Sequence, residues 1–183
     1  MRIISGKFGS RLIQAVKGMN TRPTSDKIRE AIFSRIGPYF DGGQMLDLFA
    51  GSGAVSLEAI SRGLDHAVLV DKDHTAIKTI QSNIGALQAE KQCAVVRSDV
   101  MTFLLQQHTT FDLIYMDPPY ALKIIEEILI YLDKHNLVAS GGNVICESSK
   151  EDQFLDHYGS LVRQKEVCYG ITKISYYKRE EKQ

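Results

Sequence analysis

Cysteine is scarce in this chain, and the three present, Cys93, Cys146 and Cys168, are widely spaced with neither a C-x-x-C pair nor metal-ligand spacing. That excludes a disulfide scaffold and a cysteine-based metal centre, and the three read as reduced core or surface thiols. None lies in a nucleophile's context, which weighs against chemistry through a covalent thiolate adduct. The histidines, His66, His74, His108, His135 and His157, are scattered and read as solvated or capping residues, so no metal is expected. No apolar run reaches membrane-spanning length and no signal-peptide pattern opens the chain, so a cytoplasmic protein without a membrane partner is expected. Repeats and low-complexity tracts are also lacking, and only Glu180–Gln183 reads as a frayed end.

Net charge is absent as well, but its zero mean conceals an asymmetry. Residues 1–35 hold eight Arg or Lys against two acids, Asp26 and Glu30, so a basic N-terminal region faces an acidic remainder. Such an arm suits phosphate contact, the other reading being a solvated charged extension. At 183 residues and 44% hydrophobic content, the chain has the length and composition of one globular domain. Within it, residues 1–40 read as a basic hairpin and helix, and residues 41–183 as a core. Arg2–Ser5 and Arg11–Gln14 flank Gly6–Ser10 as a plausible hairpin, held to itself or to a partner by Ile3, Ile4, Leu12 and Ile13. Thr24 or Ser25 can cap a helix carrying Ile28, Ala31, Ile32 and Ile36 on one face.

The core alternates strands with helices. Met45–Leu48 is a short apolar strand that runs into Phe49-Ala50-Gly51-Ser52-Gly53, and a helix follows from about Ala54 to Arg62. The glycines let the backbone turn tightly and approach a ligand closely. Ser56 stands where a dinucleotide fingerprint wants its third glycine, so this loop alone is weak evidence. Asp47 strengthens it, since an acid within a buried strand needs a specific polar partner. Ala67–Val70 ends in Asp71, placed to accept ribose hydroxyls, and Ala94–Arg97 leads to Asp99, within reach of an adenine amine. The stripes Ile77/Ile80/Ile84/Leu87 and Leu122/Ile125/Leu129/Leu132 read as core faces of crossover helices. Asn143–Cys146 is a fifth strand, and Val162–Tyr169 with Ile171–Lys178 forms a closing antiparallel pair. The expected architecture is a Rossmann-like α/β fold, with a mostly parallel sheet of about seven strands ending in an antiparallel hairpin.

The strand Phe111–Met116 ends in Asp117-Pro118-Pro119-Tyr120. Ligands bind at the carboxyl ends of strands in open α/β sheets. Two prolines in succession stiffen the turn and remove two N–H donors, leaving carbonyls to point outward. The Asp117 carboxylate and the Pro118 carbonyl can accept both hydrogens of an exocyclic amine, and Tyr120 offers a flat face to a base.

In order, Asp47-Leu-Phe-Ala-Gly-Ser-Gly53, Asp71, Asp99 and Asp117-Pro-Pro-Tyr120 resemble the motifs of class I methyltransferases that use S-adenosylmethionine, in the amino-methylating branch. Thr21-Arg-Pro-Thr-Ser-Asp-Lys-Ile-Arg-Glu-Ala-Ile-Phe33 and the start Arg2-Ile-Ile-Ser-Gly-Lys-Phe-Gly-Ser-Arg11 resemble the RsmD-type family, which methylates guanine N2 in small-subunit ribosomal RNA. The likeness spans nearly the whole chain. Its departures are Val55-Ser56, where Leu-Gly is frequent, and Asp71, where glutamate is common. The resemblance implies that Asp47, Phe49, Ala50, Gly51, Gly53, Asp71, Lys72, Asp99, Val100 and Thr24 hold S-adenosylmethionine. It implies catalysis at Asp117, Pro118, Pro119 and Tyr120, and contact with ribosomal RNA, within a small subunit or an assembly intermediate, through Arg2, Lys7, Arg11 and Arg22. These four cations are expected on the face that presents Tyr120, and the protein is expected to be a monomer. Two other readings share parts of the pattern. An adenine-N6 or cytosine-N4 methyltransferase would usually carry a target-recognition domain, for which little chain remains. A protein glutamine or small-molecule methylase would more often show Asn-Pro-Pro-Tyr and needs no basic arm.

Overall fold

The computed structural model describes residues 1–18 and 24–181. The apolar run after Gly43 forms β1 (Gln44–Leu48), and the segments that follow alternate as read from the sequence. They are α2 (Ala54–Ser61), β2 (His66–Asp71), α3 (His74–Leu87), β3 (Cys93–Arg97), α4 (Val100–Leu104), β4 (Phe111–Met116), α5 (Ile125–Lys134) and β5 (Val138–Ser149). A helix α1 (Asp26–Ile36) precedes them, and β6 (His157–Tyr158), β7 (Leu161–Tyr169) and β8 (Thr172–Arg179) close the chain. The sheet runs β3-β2-β1-β4-β5-β8-β7-β6. β1 to β5 are parallel, while β8 inserts antiparallel between β5 and β7. Eight strands replace the expected seven or so, because the two-residue β6 pairs with β7 through His157 and Tyr158. A strand that short leaves no periodicity to read.

Side chains alternate across the sheet into two cores. Met45, Leu69, Tyr115 and Ile145 pack with α2 and α3, whereas Leu46, Leu48, Ile114, Met116 and Val144 pack with α4 and α5. α3 buries Ile77, Ile80, Ile84 and Leu87 as its stripe requires. The second stripe is shorter than its spacing suggests. Leu122 lies in a 3-10 turn (Tyr120–Leu122) and is 46% exposed, because the Asp117–Pro119 segment leaves the strand in an extended path before α5 can start.

The N-terminal segment is a short, minimally paired hairpin that packs against α2. Among the described residues its one β-bridge is Arg2 with Leu12, and the loop between them wraps onto α2. The Lys7 and Phe8 amides donate to the backbone carbonyl and Oγ of Ser61 at 2.9 Å each. Gly6, at φ +84°, sits so close that a Cβ would lie 1.8 Å from the Ser61 carbonyl oxygen. Ile3, Phe8 and Ile13 are buried in the α2/α3 core, while Leu12 is 74% exposed. Backbone pairing of Ile3 with Arg11 and of Ile13 with Met1, at 2.9 and 3.0 Å, and burial of these apolar side chains together hold the segment.

Candidate active site

Because β1 to β5 run parallel, their carboxyl ends share one edge, and the loops that carry the motifs converge there. The loop after β1 turns through Phe49 at φ 65° and Gly51 at φ 57°. A phenylalanine in the left-handed region is strained, and such strain persists where surrounding structure dictates the loop's path. The Gly51 amide donates to Asp71 Oδ2 at 2.9 Å, and Asp71 Oδ1 accepts from the Asp73 amide at 2.9 Å. Asp71 therefore staples the glycine loop to β2, with lone pairs left on both oxygens for another donor. Asp99 Oδ1 caps α4 by accepting from the Met101 and Thr102 amides at 3.0 and 3.2 Å. Ala50 is buried, its amide donating to the Val70 carbonyl at 2.9 Å. Val100 is buried under the loop, and the Lys72 carbonyl accepts from Arg97 Nε at 3.3 Å.

Asp47 is 1% exposed in β1. Its partner is Ser56, whose Oγ donates to Oδ2 at 2.6 Å, so the residue that departs from the glycine pattern supports the buried acid. Oδ1 is buried with no hydrogen-bond partner among the described residues. Burial pushes the Asp47 carboxyl up to about 7, with Asp71 adding to the rise and the Ser56 hydrogen bond opposing it. A buried acceptor without a donor, beside a glycine loop with open space at Gly51, fits a ligand that brings a polar or cationic group.

Strand alternation puts Asp47, Tyr115, Asp117 and Glu147 on one face. Asp47 pairs in register with Tyr115, and Met116 with Cys146, so Asp117 and Glu147 are lateral neighbours at the ends of β4 and β5. Glu147, which sequence reading missed, is 4% exposed. Its Oε2 accepts from the Tyr115 hydroxyl at 2.6 Å and from Thr24 Oγ1 at 2.9 Å. Ser25, not Thr24, caps α1, which frees the Thr24 hydroxyl for this contact. The one signal available was an acid two residues beyond Ile145, on that strand's helix-facing side. Burial raises the carboxyl of Asp117 well above the usual range, and the charges of Glu147 and Asp47 raise it further. Burial also raises Glu147, against the two hydroxyl donors.

Pro118 is buried, Pro119 is exposed, and the Tyr120 hydroxyl shares a 2.8 Å hydrogen bond with Thr172 Oγ1 of β8, which pins the ring. Tyr120, Pro118, Glu147, Asp152 and Phe154 line a small, open cleft. Lys123, 62% exposed at the side chain and paired with Asp152, lines it, and Lys150, 50% exposed and 3.8 Å from Glu151, follows the end of β5 at the same edge.

The basic residues of the N-terminal segment do not gather there. Lys7 Nζ donates to Gln92 Oε1 at 2.6 Å, beside the start of β3. An Arg11 guanidinium nitrogen donates to the Ala86 carbonyl at the end of α3. Both positions belong to the sheet's amino edge, opposite Tyr120, which corrects the expected shared face. The Arg2 side chain is exposed next to the bridge with Leu12, and Arg22 lies outside the described residues. What the segment's charges do instead is structural. Glu58, fully buried in α2, accepts from the Ile4 and Ser5 amides at 2.8 and 3.0 Å and from Arg62 Nε at 2.8 Å, with Arg29 Nε at 3.4 Å. Arg62 also binds Glu30 at 2.6 Å, so Arg29 and Glu30 of α1 lock that helix to α2. Among the described residues, no group of three or more His, Cys, Asp or Glu is arranged to hold a metal ion.

A family model described as conserved hypothetical protein 95 matches residues 1–178. A Bacillus subtilis (strain 168) protein, YlbH, provisionally named an rRNA methyltransferase, is 41% identical over 182 residues, covering 98% of this chain and 99% of its own. The Escherichia coli (strain K12) protein named ribosomal RNA small subunit methyltransferase D is 31% identical over 180 residues, covering 98% and 90%. Among solved structures, Escherichia coli yhhF, provisionally named a methyltransferase, superposes with a TM-score of 0.87 at 32% identity, covering 100% of this chain and 99% of its own.

Proposed function

The chain belongs to the family described as conserved hypothetical protein 95, the RsmD-type methyltransferases, and on that footing we propose that it methylates the exocyclic N2 amine of a guanine in small-subunit ribosomal RNA. The observation that carries the proposal is Asp117, half-buried beside Glu147 on the stiff Asp-Pro-Pro-Tyr turn and sharing an edge with the glycine loop and the unpaired Oδ1 of Asp47.

S-adenosylmethionine, held by Asp47, the Phe49–Gly53 loop, Asp71 and Asp99, supplies a methyl group already activated on a sulfonium. The protein's task is then to align and desolvate. Asp71 and Asp99 each keep acceptor capacity for ribose and adenine after their backbone contacts, and Asp47 offers Oδ1 to a cationic group. Lys72 and Thr24 flank this region, although the Thr24 hydroxyl is engaged with Tyr115 and Glu147.

Guanine's amine is a poor nucleophile because its lone pair is delocalised into the ring. Hydrogen bonds from the amine to Asp117 and the Pro118 carbonyl pull nitrogen toward tetrahedral geometry and aim its lone pair. Such orientation can lower a barrier by ~7–11 kcal/mol in ideal cases. An ionised Asp117 stabilises the positive charge developing on nitrogen, and its raised affinity for protons suits it to receive the one released. Tyr120, pinned through Thr172, gives the extruded base a stacking surface. Lys123 in the cleft wall and Lys150 just past β5 stand at the carboxyl edge, where they can meet phosphates near the base more directly than Lys7 or Arg11.

Transfer of labelled methyl groups to small ribosomal subunits from a strain deleted for this gene, followed by mapping of the product, tests the proposal. N2-methylguanine at one position supports it, and label on adenine N6, on protein or on nothing overturns it.

A further inference from the structure

The Asp-Pro-Pro-Tyr turn explains how an amine is held, but adenine and cytosine carry exocyclic amines too. A feature that separates guanine from them stands next to Asp117. We propose that Glu147 reads the Watson–Crick edge of the target guanine, its Oε1 accepting the N1–H while Asp117 and the Pro118 carbonyl hold the 2-amine. The assignment rests on the guanine-N2 reading and deepens it.

Glu147 and Asp117 follow the registered pair Cys146 and Met116, so their carboxylates stand side by side on the same face of neighbouring strands. Two donors, the Tyr115 hydroxyl at 2.6 Å and Thr24 Oγ1 at 2.9 Å, converge on Oε2 and fix the carboxylate's orientation. Oε1 accepts nothing from the described residues, although Glu147 is 4% exposed and lines the cleft with Pro118 and Tyr120. One oxygen is thus tied to the scaffold and the other is kept for a ligand.

Guanine matches this pair of acceptors. Its N1–H and 2-amine are adjacent donors on one edge, whereas adenine sets an acceptor, N1, beside its amine. An adenine presented to the Asp117 turn would put that N1 lone pair against the Glu147 carboxylate, leaving both acceptors unpaired in a buried site. Sites built to hydrogen-bond a substrate group reject analogues that lack it by far more than apolar pockets reject a missing methylene.

The full-length protein would be assayed on small subunits reconstituted with analogues at the mapped target base. 2-Aminopurine keeps the 2-amine but has a lone pair at N1, and 6-thioguanine keeps N1–H while altering the 6-position that 2-aminopurine also lacks. Wild-type protein should prefer guanine over 2-aminopurine by about 100-fold or more in kcat/KM, while 6-thioguanine should stay within about 10-fold of guanine. Glu147→Gln, whose amide can donate to N1, should cut the 2-aminopurine ratio below about 10-fold with cofactor Kd unchanged. It should also move the acid limb of the pH–rate profile to lower pH, because a negative neighbour of Asp117 has gone. Tyr115→Phe, which removes one of the two donors that orient the carboxylate, should lower the ratio part of the way. A wild-type ratio near one overturns the assignment and needs no variant to fold. So does a folded Glu147→Gln protein that retains the wild-type ratio, or a 6-thioguanine loss as large as that of 2-aminopurine. If natural subunits acquire no N2-methylguanine at all, the underlying function has failed rather than the role of Glu147.

Discussion

Two groups of carboxylates, buried or half-buried, lie on the same side of the sheet and are built in opposite ways. Glu58, in the middle of α2, meets two arginines and two backbone amides. Asp47, Asp117 and Glu147, at the carboxyl edge, meet hydroxyls, the Ser56 backbone and one another, and among the described residues no arginine or lysine enters the group. Burial and mutual repulsion raise the carboxyls of this second group, with Asp47 reaching about 7. Both groups are costly to bury. One is balanced within the fold and serves it. The other is left unbalanced, and a positively charged or proton-bearing ligand would complete it.

The contrast breaks most sharply at Asp117. Asp117→Ala should lower turnover by about 10³-fold or more, since it removes both the amine's anchor and its countercharge, with cofactor Kd within a few-fold. Single-turnover methyl transfer and calorimetry separate the two effects, and near-wild-type turnover would sink the catalytic assignment. In the balanced group, Glu58→Ala leaves Arg29 and Arg62 buried without their acid and frees two amides. Urea denaturation should show a loss of about 3–5 kcal/mol.

Asp47 sharpens the comparison because its removal should act in the other direction on the free protein. Between the ordinary carboxyl value of 3.8 and about 7, its folded carboxyl holds a proton that the unfolded chain has already released. The folded state therefore loses stability as pH rises through that window. Asp47→Asn should abolish this part of the slope, leaving the variant about 1–3 kcal/mol more stable than wild type at pH 8 and no more stable at pH 4. The same variant should bind S-adenosylmethionine more weakly, an exchange of function for stability measurable by denaturation and calorimetry together.

Asp71→Ala should weaken cofactor binding by about 1–3 kcal/mol, through lost ribose contacts and a loosened Gly51. The smallest effect concerns the surface cations. Lys123→Gln with Lys150→Gln should flatten the salt dependence of RNA binding by about one to two units. Lys7→Gln with Arg11→Gln, at the far edge, should change that slope by less than about one unit. Equal slopes for the two double variants would show that RNA reaches both edges.

Much of this organisation was legible in the residues. The order of strands and helices along the chain, the glycine loop, the acids at strand ends and the Asp-Pro-Pro-Tyr turn depend on local spacing, and the mostly parallel sheet with its antiparallel closing pair follows from their alternation. What was not legible depended on partners distant in sequence. Ser56 looked like a departure from a glycine pattern until its hydroxyl was seen on Asp47. Arg29 and Glu30 read as part of a basic arm, yet Arg29 is fully buried and both serve the junction of α1 with α2. Leu122 fits a helical stripe by number but falls in the 3-10 turn before the helix.

The chemistry at the strand ends was set by the sequence itself, because residue type, backbone stiffness and alternation act over a few neighbouring positions. Glycine at 51, two prolines after Asp117 and a tyrosine next to them need no distant contact to say what they can hold. Only the tertiary structure decided which charges remain available. Glu58 meets Arg29 and Arg62 across the fold, whereas Glu147 meets Asp117 across a strand register, and a carboxylate's ionisation depends on the charges and solvent left around it once the chain has closed.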